Sequence, residues 1–338
     1  MIHQTDVAII GTGPVGLFAI FECGMLRLRC HAFDALQQIG GQCAALYPEK
    51  PIYDIPAYPT ILGGTLAANL AQQASPFQPV YHLDEQVKTI EALDTKGKHW
   101  RLTGTKDTIV EAKAIIIAAG VGAFGPNRPP LAHIENFESQ SIHYFVRSRD
   151  TYRDKHVIIA GGGDSAVDWA LSLQEIASRV SIVHRRDKFR AAPESEHRLK
   201  LLASAGKIDL IVPYQLSGLI GAEGKLTHVE VESLTGDKKA LQADYLLPFF
   251  GLSMNLGPIA EWGLGLTKNH ITIDPTTAAT NRAGIYAIGD IATYPNKLKL
   301  ILTGFAEAAQ AAHAIRHFLY PEEVVHFEYS TTQGVPNT

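Results

Sequence analysis

The sequence predicts an α/β protein built from two dinucleotide-binding, Rossmann-like three-layer domains, the first of them discontinuous. Three observations carry this. A short apolar run, Val7-Ala-Ile-Ile10, leads into Gly11-x-Gly13-x-x-Gly16 and then into apolar residues at helical spacing, Leu17, Phe18, Ile20 and Phe21. The same order returns at His156-Val-Ile-Ile-Ala160, Gly161-Gly-Gly163-Asp-Ser-Ala166 and Val167 onward. Ile285-Tyr-Ala-Ile288 with Gly289-Asp290, followed by an Ala-rich helix, reads as the chain coming back to its first domain. The expected boundaries are 1–122 with 289–338 for the first domain and 123–288 for the second.

A run of four apolar residues ending in glycine suits a parallel strand covered on both faces. Gly11 permits the tight turn, Gly13 lets a pyrophosphate approach the backbone, and Gly16 lets the helix sit close to the strand. The helix N-terminus offers unpaired N–H groups and partial positive charge to phosphates. The candidate contacts are Gly11, Gly13, Pro14 and Gly16. About 20 residues on, a carboxylate should end the second strand and hold a ribose hydroxyl; Asp34, after Cys30-His-Ala-Phe33, fits.

Next, Ile39-Gly-Gly-Gln42 opens a loop running through Tyr47-Pro-Glu-Lys-Pro-Ile-Tyr-Asp54. Gln42 offers an amide, Tyr47 an aromatic face and Asp54 a carboxylate. A flavin ring needs such groups, polar atoms for its pyrimidine edge and an apolar face to lie on. A Pro- and Tyr-rich surface loop is the plainer alternative. Residues 65–73 read as a helix. Alternation over 81–90 and 99–110 predicts a small antiparallel sheet. Ala114-Ile-Ile-Ile-Ala-Ala-Gly120 is another buried strand, and the Gly- and Pro-rich 121–130 reads as the linker of the first crossing.

The second glycine turn brings Gly161, Gly163, Asp164, Ser165 and Ala166 to a helix start. Its second strand, Arg179-Val-Ser-Ile-Val183, ends in His184-Arg185-Arg186, with Lys188 and Arg190 just beyond. Where the first unit has Asp34, the second has a basic cluster. A carboxylate there favours a free 2′-hydroxyl and repels a 2′-phosphate; arginines favour the phosphate. The first turn therefore suits an FAD-type adenosine and the second NADP(H), through His184, Arg185, Arg186 and Arg190. An arginine pair on a solvated face is the alternative at any strand end. Further on, 226–231 and 243–250 read as strands and 303–319 as a helix.

Of the 338 residues, 46% are apolar and 19% charged, so a sizeable core can be buried; the net charge is −4. That balance argues against nucleic acid as a partner. No membrane span is predicted, since there is no 18-residue apolar run. The N-terminus runs into a strand at once, which predicts a cytoplasmic protein without a signal peptide. Cys23, Cys30 and Cys43 make no C-x-x-C and no metal-ligand spacing. Cys23 and Cys30 read as small core residues.

Taken together, GTGPVG, GGQ with LYPEK and IYD, GGGDSA, HRR and YAIGD resemble the thioredoxin-reductase-like ferredoxin–NADP(+) reductases, over essentially the whole chain. The resemblance implies FAD held by Asp34, Gln42, Tyr47, Val87, Phe124, Asp290 and Thr331. It implies Tyr47 against one face of the flavin and a tail aromatic, best matched by Tyr329, over the other. It implies a homodimer whose domains rotate. The implied activity is FAD-dependent: hydride exchange between NADP(H) and flavin N5, and single-electron exchange with ferredoxin or flavodoxin. The resemblance implies no protein acid or base in the chemistry. Relatives that reduce disulfides carry cysteine pairs this chain lacks. There is no cysteine after Cys43, and the residue that would partner Cys43 in a C-x-x-x-x-C is Pro48. Thioredoxin reduction is thus disfavoured. The alternatives are an NADPH-dependent diaphorase acting on quinones or ferric chelates, and a non-catalytic flavin sensor. Arg27, Arg29, Arg147, Arg149, Arg153, Lys297 and Lys299 are the basic residues available to an acidic acceptor.

Overall fold

The computed structural model describes residues 2–323 and Gly334. The chain forms two compact units, residues 1–124 with 254–338, and residues 125–253.

In the first unit, strand β1 (Ile2–Ile10) is followed by helix α1 (Pro14–Met25) and strand β2 (Cys30–Asp34), parallel to β1 with Val7 opposite Cys30. The short helix α2 (Gly41–Ala45) and helix α3 (Gly63–Ala74) precede β3 (Val80–Leu83), which extends the sheet in parallel beyond β2. Strands β4 (Val87–Ala92), β5 (Trp100–Gly104) and β6 (Ile109–Ile117) form an antiparallel meander, and β6 returns beside β1 in parallel. The order β3-β2-β1-β6-β5-β4 puts β1 inside the sheet. Val7–Ile10 and Ala114–Ile117 are buried there on both faces.

The alternation over 81–90 misled on one point. Val80–Leu83 pairs in parallel with β2, and only Val87 onward is antiparallel. Between them Asp84 takes φ +54, and the Asp84 and Glu85 N–H groups donate to the Leu36 and Asp34 carbonyls at 2.8 and 2.9 Å. That turn ends one pairing and starts another, which a two-residue period does not register.

The second unit has β7 (His156–Ala160), helix α4 (Asp164–Leu173), β8 (Arg179–Val183), helix α5 (Pro193–Ser204) and β9 (Asp209–Ile211). An antiparallel layer of β10 (Tyr214–Ala222), β11 (Lys225–Ser233) and β12 (Lys238–Gln242) follows, then β13 (Tyr245–Pro248). The parallel sheet runs β9-β8-β7-β13. Val229, Val231, Leu246 and Ile158 share one core beneath both layers.

The return to the first unit falls at 253/254, well before the expected 288/289. Leu256, Ile259, Trp262, Leu264, Ile271 and Ile273 are all buried in the first unit's core, and that burial fixes where the segment belongs. Short elements carry little periodicity, so the sequence showed no crossing there. Strand β14 (Ile285–Ala287) joins β6 in parallel, and helix α6 (Ile301–Leu319) packs on α1. Phe18 of α1 meets Phe305 of α6 at 4.9 Å between ring centres. Among the described residues no helix is long and apolar enough to cross a membrane.

Candidate functional site: two glycine turns of opposite charge

The first turn is built as the glycine spacing requires. Gly11 sits at φ +104, and a Cβ there would come within 2.3 Å of the Ala118 carbonyl oxygen. A Cβ on Gly16 would lie 2.0 Å from the Gly11 carbonyl oxygen. These two glycines serve packing. Gly13 is different, because its Cβ would meet only the Gly41 Cα, at 3.9 Å. Space therefore opens over the start of α1, where Pro14 takes a first-turn position and no acidic residue follows.

Asp34 ends β2 as expected, and its carboxylate has a structural duty as well. Oδ2 accepts from the Thr12 N–H at 2.7 Å and the Thr12 hydroxyl at 2.6 Å, and Oδ1 accepts from the Leu36 N–H at 2.9 Å. Thr12, between the glycines, is completely buried. Asp34 thus ties the turn to the neighbouring strand. A carboxylate offers about four lone-pair sites, so roughly one is left for a sugar hydroxyl. Thr12 was not foreseen; a hydroxyl between two turn glycines facing a strand-end carboxylate was the available signal.

The Gly40–Gly41 loop closes on this turn. The Gly40 N–H donates to the Thr12 carbonyl at 2.8 Å, and both glycines have positive φ. Gln42 in α2 lies near Gly120, whose added Cβ would meet its Nε2 at 3.5 Å. Tyr47 follows α2, its hydroxyl 4.0 Å from the Cys43 sulfur. Burial raises the Tyr47 hydroxyl well above its usual range, with Cys43 and the charge of Asp290 acting the same way. Burial also pushes the Cys43 thiol up to about 11. Gln42, Tyr47 and Asp290 therefore belong to one region with the turn. Val87 is buried at the start of β4, just past the Glu85 N–H that holds the Asp34 carbonyl. Asp54 is exposed, and no described contact ties it to the group. Tyr329 and Thr331 lie outside the described residues, as does the side chain of Phe124.

The second turn has the same plan and the opposite charge. A Cβ on Gly161 would meet the Phe249 carbonyl oxygen at 2.6 Å, whereas one on Gly163 meets nothing within 4 Å. The open position again lies at a helix start, with Asp164, Ser165 and Ala166 in the first turn of α4. Asp164 would repel a phosphate, yet its carboxylate is engaged by the Ala192 N–H at 2.9 Å. The Arg190 N–H donates to the Gly162 carbonyl at 2.6 Å, which folds the basic segment against the glycines. Arg185, Arg186 and Arg190 are exposed, and no described carboxylate pairs with them.

His184 departs from the expected role. Its ring lies back on Gly162, where an added Cβ would be 2.3 Å from Cε1, and its Nε2 is buried without a partner. Burial, and then the three arginines, hold its pKa below the usual range. It is neutral at pH 7, so the positive charge at this strand end comes from the arginines.

Among the basic residues considered for an acceptor surface, Lys297 is misassigned. Its side chain is 4% exposed and paired with Glu307. Cys23 and Cys30 are buried free thiols, as expected, and Cys30 is raised by Cys23 and by burial. A thiol held protonated is a poor nucleophile.

Residues 5–315 match the family model of the pyridine nucleotide-disulphide oxidoreductases. Ferredoxin–NADP reductase of Paramagnetospirillum magneticum is 58% identical over 334 residues, covering 99% of this chain and 98% of the relative. That of Granulibacter bethesdensis is 60% identical over 336 residues, covering 99% and 95%. Thioredoxin reductase of Lactococcus lactis, in its FR conformation, superposes with a TM-score of 0.80 at 26% identity, covering 94% of this chain and 99% of that one. T. acidophilum thioredoxin reductase gives the same TM-score at 21% identity and shares the fold. With matched glycine turns, full-length relatives and this architecture, the chain belongs to the pyridine nucleotide-disulphide oxidoreductase family, among its thioredoxin-reductase-like ferredoxin–NADP(+) reductases.

Proposed function

We propose that this protein is an FAD-dependent ferredoxin–NADP(+) oxidoreductase, with FAD in the first unit and NADP(H) in the second. The observation that carries the reading is the charge contrast between two otherwise matched turns. Asp34 can accept from a ribose hydroxyl and would repel a 2′-phosphate. Arg185, Arg186 and Arg190 leave donors free for that phosphate. Both turns fit a pyrophosphate, since Gly13 and Gly163 leave room over a helix start.

FAD would be held by Gly11, Gly13, Pro14, Gly16, Asp34, Gln42, Tyr47, Val87, Phe124, Asp290 and Thr331. Asp54 has the least support, being exposed. Tyr47 would cover one flavin face, and Tyr329 is the candidate for the other. NADP(H) would use Gly161, Gly163, Asp164, Ser165 and Ala166 with the arginines. Bound FAD supplies hydride exchange with the nicotinamide and one-electron exchange with the acceptor; the chain supplies orientation and charge. The partner is ferredoxin, with flavodoxin as a second one-electron acceptor, and the working form is a homodimer.

Stopped-flow reduction by NADPH against NADH, followed by transfer to purified ferredoxin, tests the reading. Replacing both arginines, Arg185→Ala with Arg186→Ala, should lower NADPH use about tenfold or more per lost charge-assisted contact, with NADH little changed. Equal loss for both coenzymes would defeat the assignment. Rapid turnover with quinones or ferric chelates and none with ferredoxin would favour a diaphorase.

A further inference from the structure

Gly289 precedes Asp290 in the turn after β14, and it stands at φ +74. Both of its backbone polar groups end on one buried ion pair. Its N–H donates to Glu307 Oε2 at 2.7 Å, and its carbonyl accepts from Lys297 Nζ at 2.6 Å. Lys297 Nζ also donates to Glu307 Oε1 and Oε2 at 2.7 and 2.8 Å. The Tyr294 hydroxyl completes the group, donating to Glu307 Oε1 at 2.9 Å. The two charged side chains are 4% and 3% exposed. Burial and Glu307 push the Tyr294 hydroxyl up to about 12, so it stays a donor.

Glu307 lies on α6, and the same helix meets the first glycine turn. A Cβ on Gly304 would lie 2.4 Å from Val15 Cγ2, in α1 just beyond Gly13, and one on Gly289 would meet Val15 at 3.5 Å. The ion pair therefore fixes the two peptides on either side of Gly289, and with them the start of Asp290, to the helix that also packs on the phosphate turn. A buried pair is a weak source of stability, because desolvation offsets its attraction. Its clear physical product is a turn held in one geometry, with every donor and acceptor satisfied.

We propose that Lys297 and Glu307 are positioning residues for the cofactor: by gripping both polar groups of Gly289 they hold Asp290 ready before FAD arrives. This rests on the placement of FAD in the first unit. Neither residue need touch FAD; each acts through Gly289.

The test uses the full chain stripped of FAD. Lys297→Met should weaken FAD binding, read by quenching of flavin fluorescence, about tenfold to hundredfold, since a charge-assisted hydrogen bond to the turn is lost. NADP(H) binding, in the other unit, should be unchanged. Because Lys297→Met strands a buried carboxylate, the pair Lys297→Met with Glu307→Gln is made as well. Gln keeps an acceptor for the Gly289 N–H, so that variant should regain the parent melting temperature while FAD binding stays weak. FAD affinity within threefold of the parent in either folded variant would overturn the proposal. Amide exchange on the unaltered protein decides independently of the variants. The Gly289 amide, which donates to Glu307, should be protected as well without FAD as with it; fast exchange there until FAD is added would also overturn the proposal. If the parent chain bound no FAD, the cofactor assignment itself would fall, whereas FAD bound equally well by the variants would remove only the positioning role.

Discussion

Replacing Asp34 with asparagine separates the two duties of that side chain. Asparagine is nearly the same size, but one of its two terminal groups can only donate. In the native protein all three bonds to the carboxylate come from donors, at 2.7, 2.6 and 2.9 Å. With the amide nitrogen toward Thr12, the Thr12 hydroxyl can rotate to accept from it but the buried Thr12 N–H loses its acceptor; with the nitrogen toward Leu36, the Leu36 N–H loses its acceptor instead. In either orientation one backbone donor is stranded. A stranded buried donor costs about 1–3 kcal/mol, and loss of charge assistance on the surviving bonds adds about 1 kcal/mol. The first unit should therefore lose about 2–4 kcal/mol before any ligand is considered, which is large beside a typical domain stability of about 5–15 kcal/mol. Urea unfolding of the FAD-free protein reads this directly. The chain has three tryptophans, with Trp100 and Trp262 in the first unit and Trp169 in the second. In a Trp169→Phe background, fluorescence reports the first unit alone. With an m-value of about 2 kcal/mol/M, the midpoint should fall by about 1–2 M. A midpoint within about 0.2 M of the parent, less than a weak hydrogen bond is worth at that slope, would refute the view that Asp34 organises its own turn. Ribose binding would then be its only task.

Other consequences can be checked the same way. Gly11→Ala should destabilise the first unit by about 1 kcal/mol or more, because φ is +104 and the Ala118 carbonyl occupies the Cβ position. Gly163→Ala should cost the second unit less than about 1 kcal/mol, since its Cβ meets nothing, yet weaken NADP(H) about tenfold by filling the open space. Titration calorimetry with denaturation on each variant tests the contrast. His31 is buried, shares a 3.0 Å contact with His82, and is held down to about 4 by burial and then by its histidine neighbours, from an ordinary 6.5. It binds a proton less readily folded than unfolded, so its effect is nil above pH 6.5 and stability is lost as pH falls from 6.5 toward 4. The loss is bounded at about 3 kcal/mol. His31→Gln should flatten the unfolding midpoint between pH 7 and pH 5; an unchanged slope would assign the titration elsewhere.

Residue order alone determined the two glycine turns, the strand-end Asp34 and the arginine cluster. Each depends on neighbours close in the chain, and each has a backbone requirement that few residue types meet. The architecture followed because a buried strand, a turn and a helix leave few ways to pack. Only the tertiary structure decided that Asp34 spends most of its acceptors on Thr12, that His184 turns inward and sits neutral, and that the chain returns to its first unit at 253/254. Lys297 shows why. Set among Pro295, Asn296 and Lys299, it has the look of a solvated surface lysine, and its partner Glu307 lies on a helix whose approach depends on Gly304 passing Val15. Burial of a charge is a property of what packs around it, and no local pattern of residues encodes that.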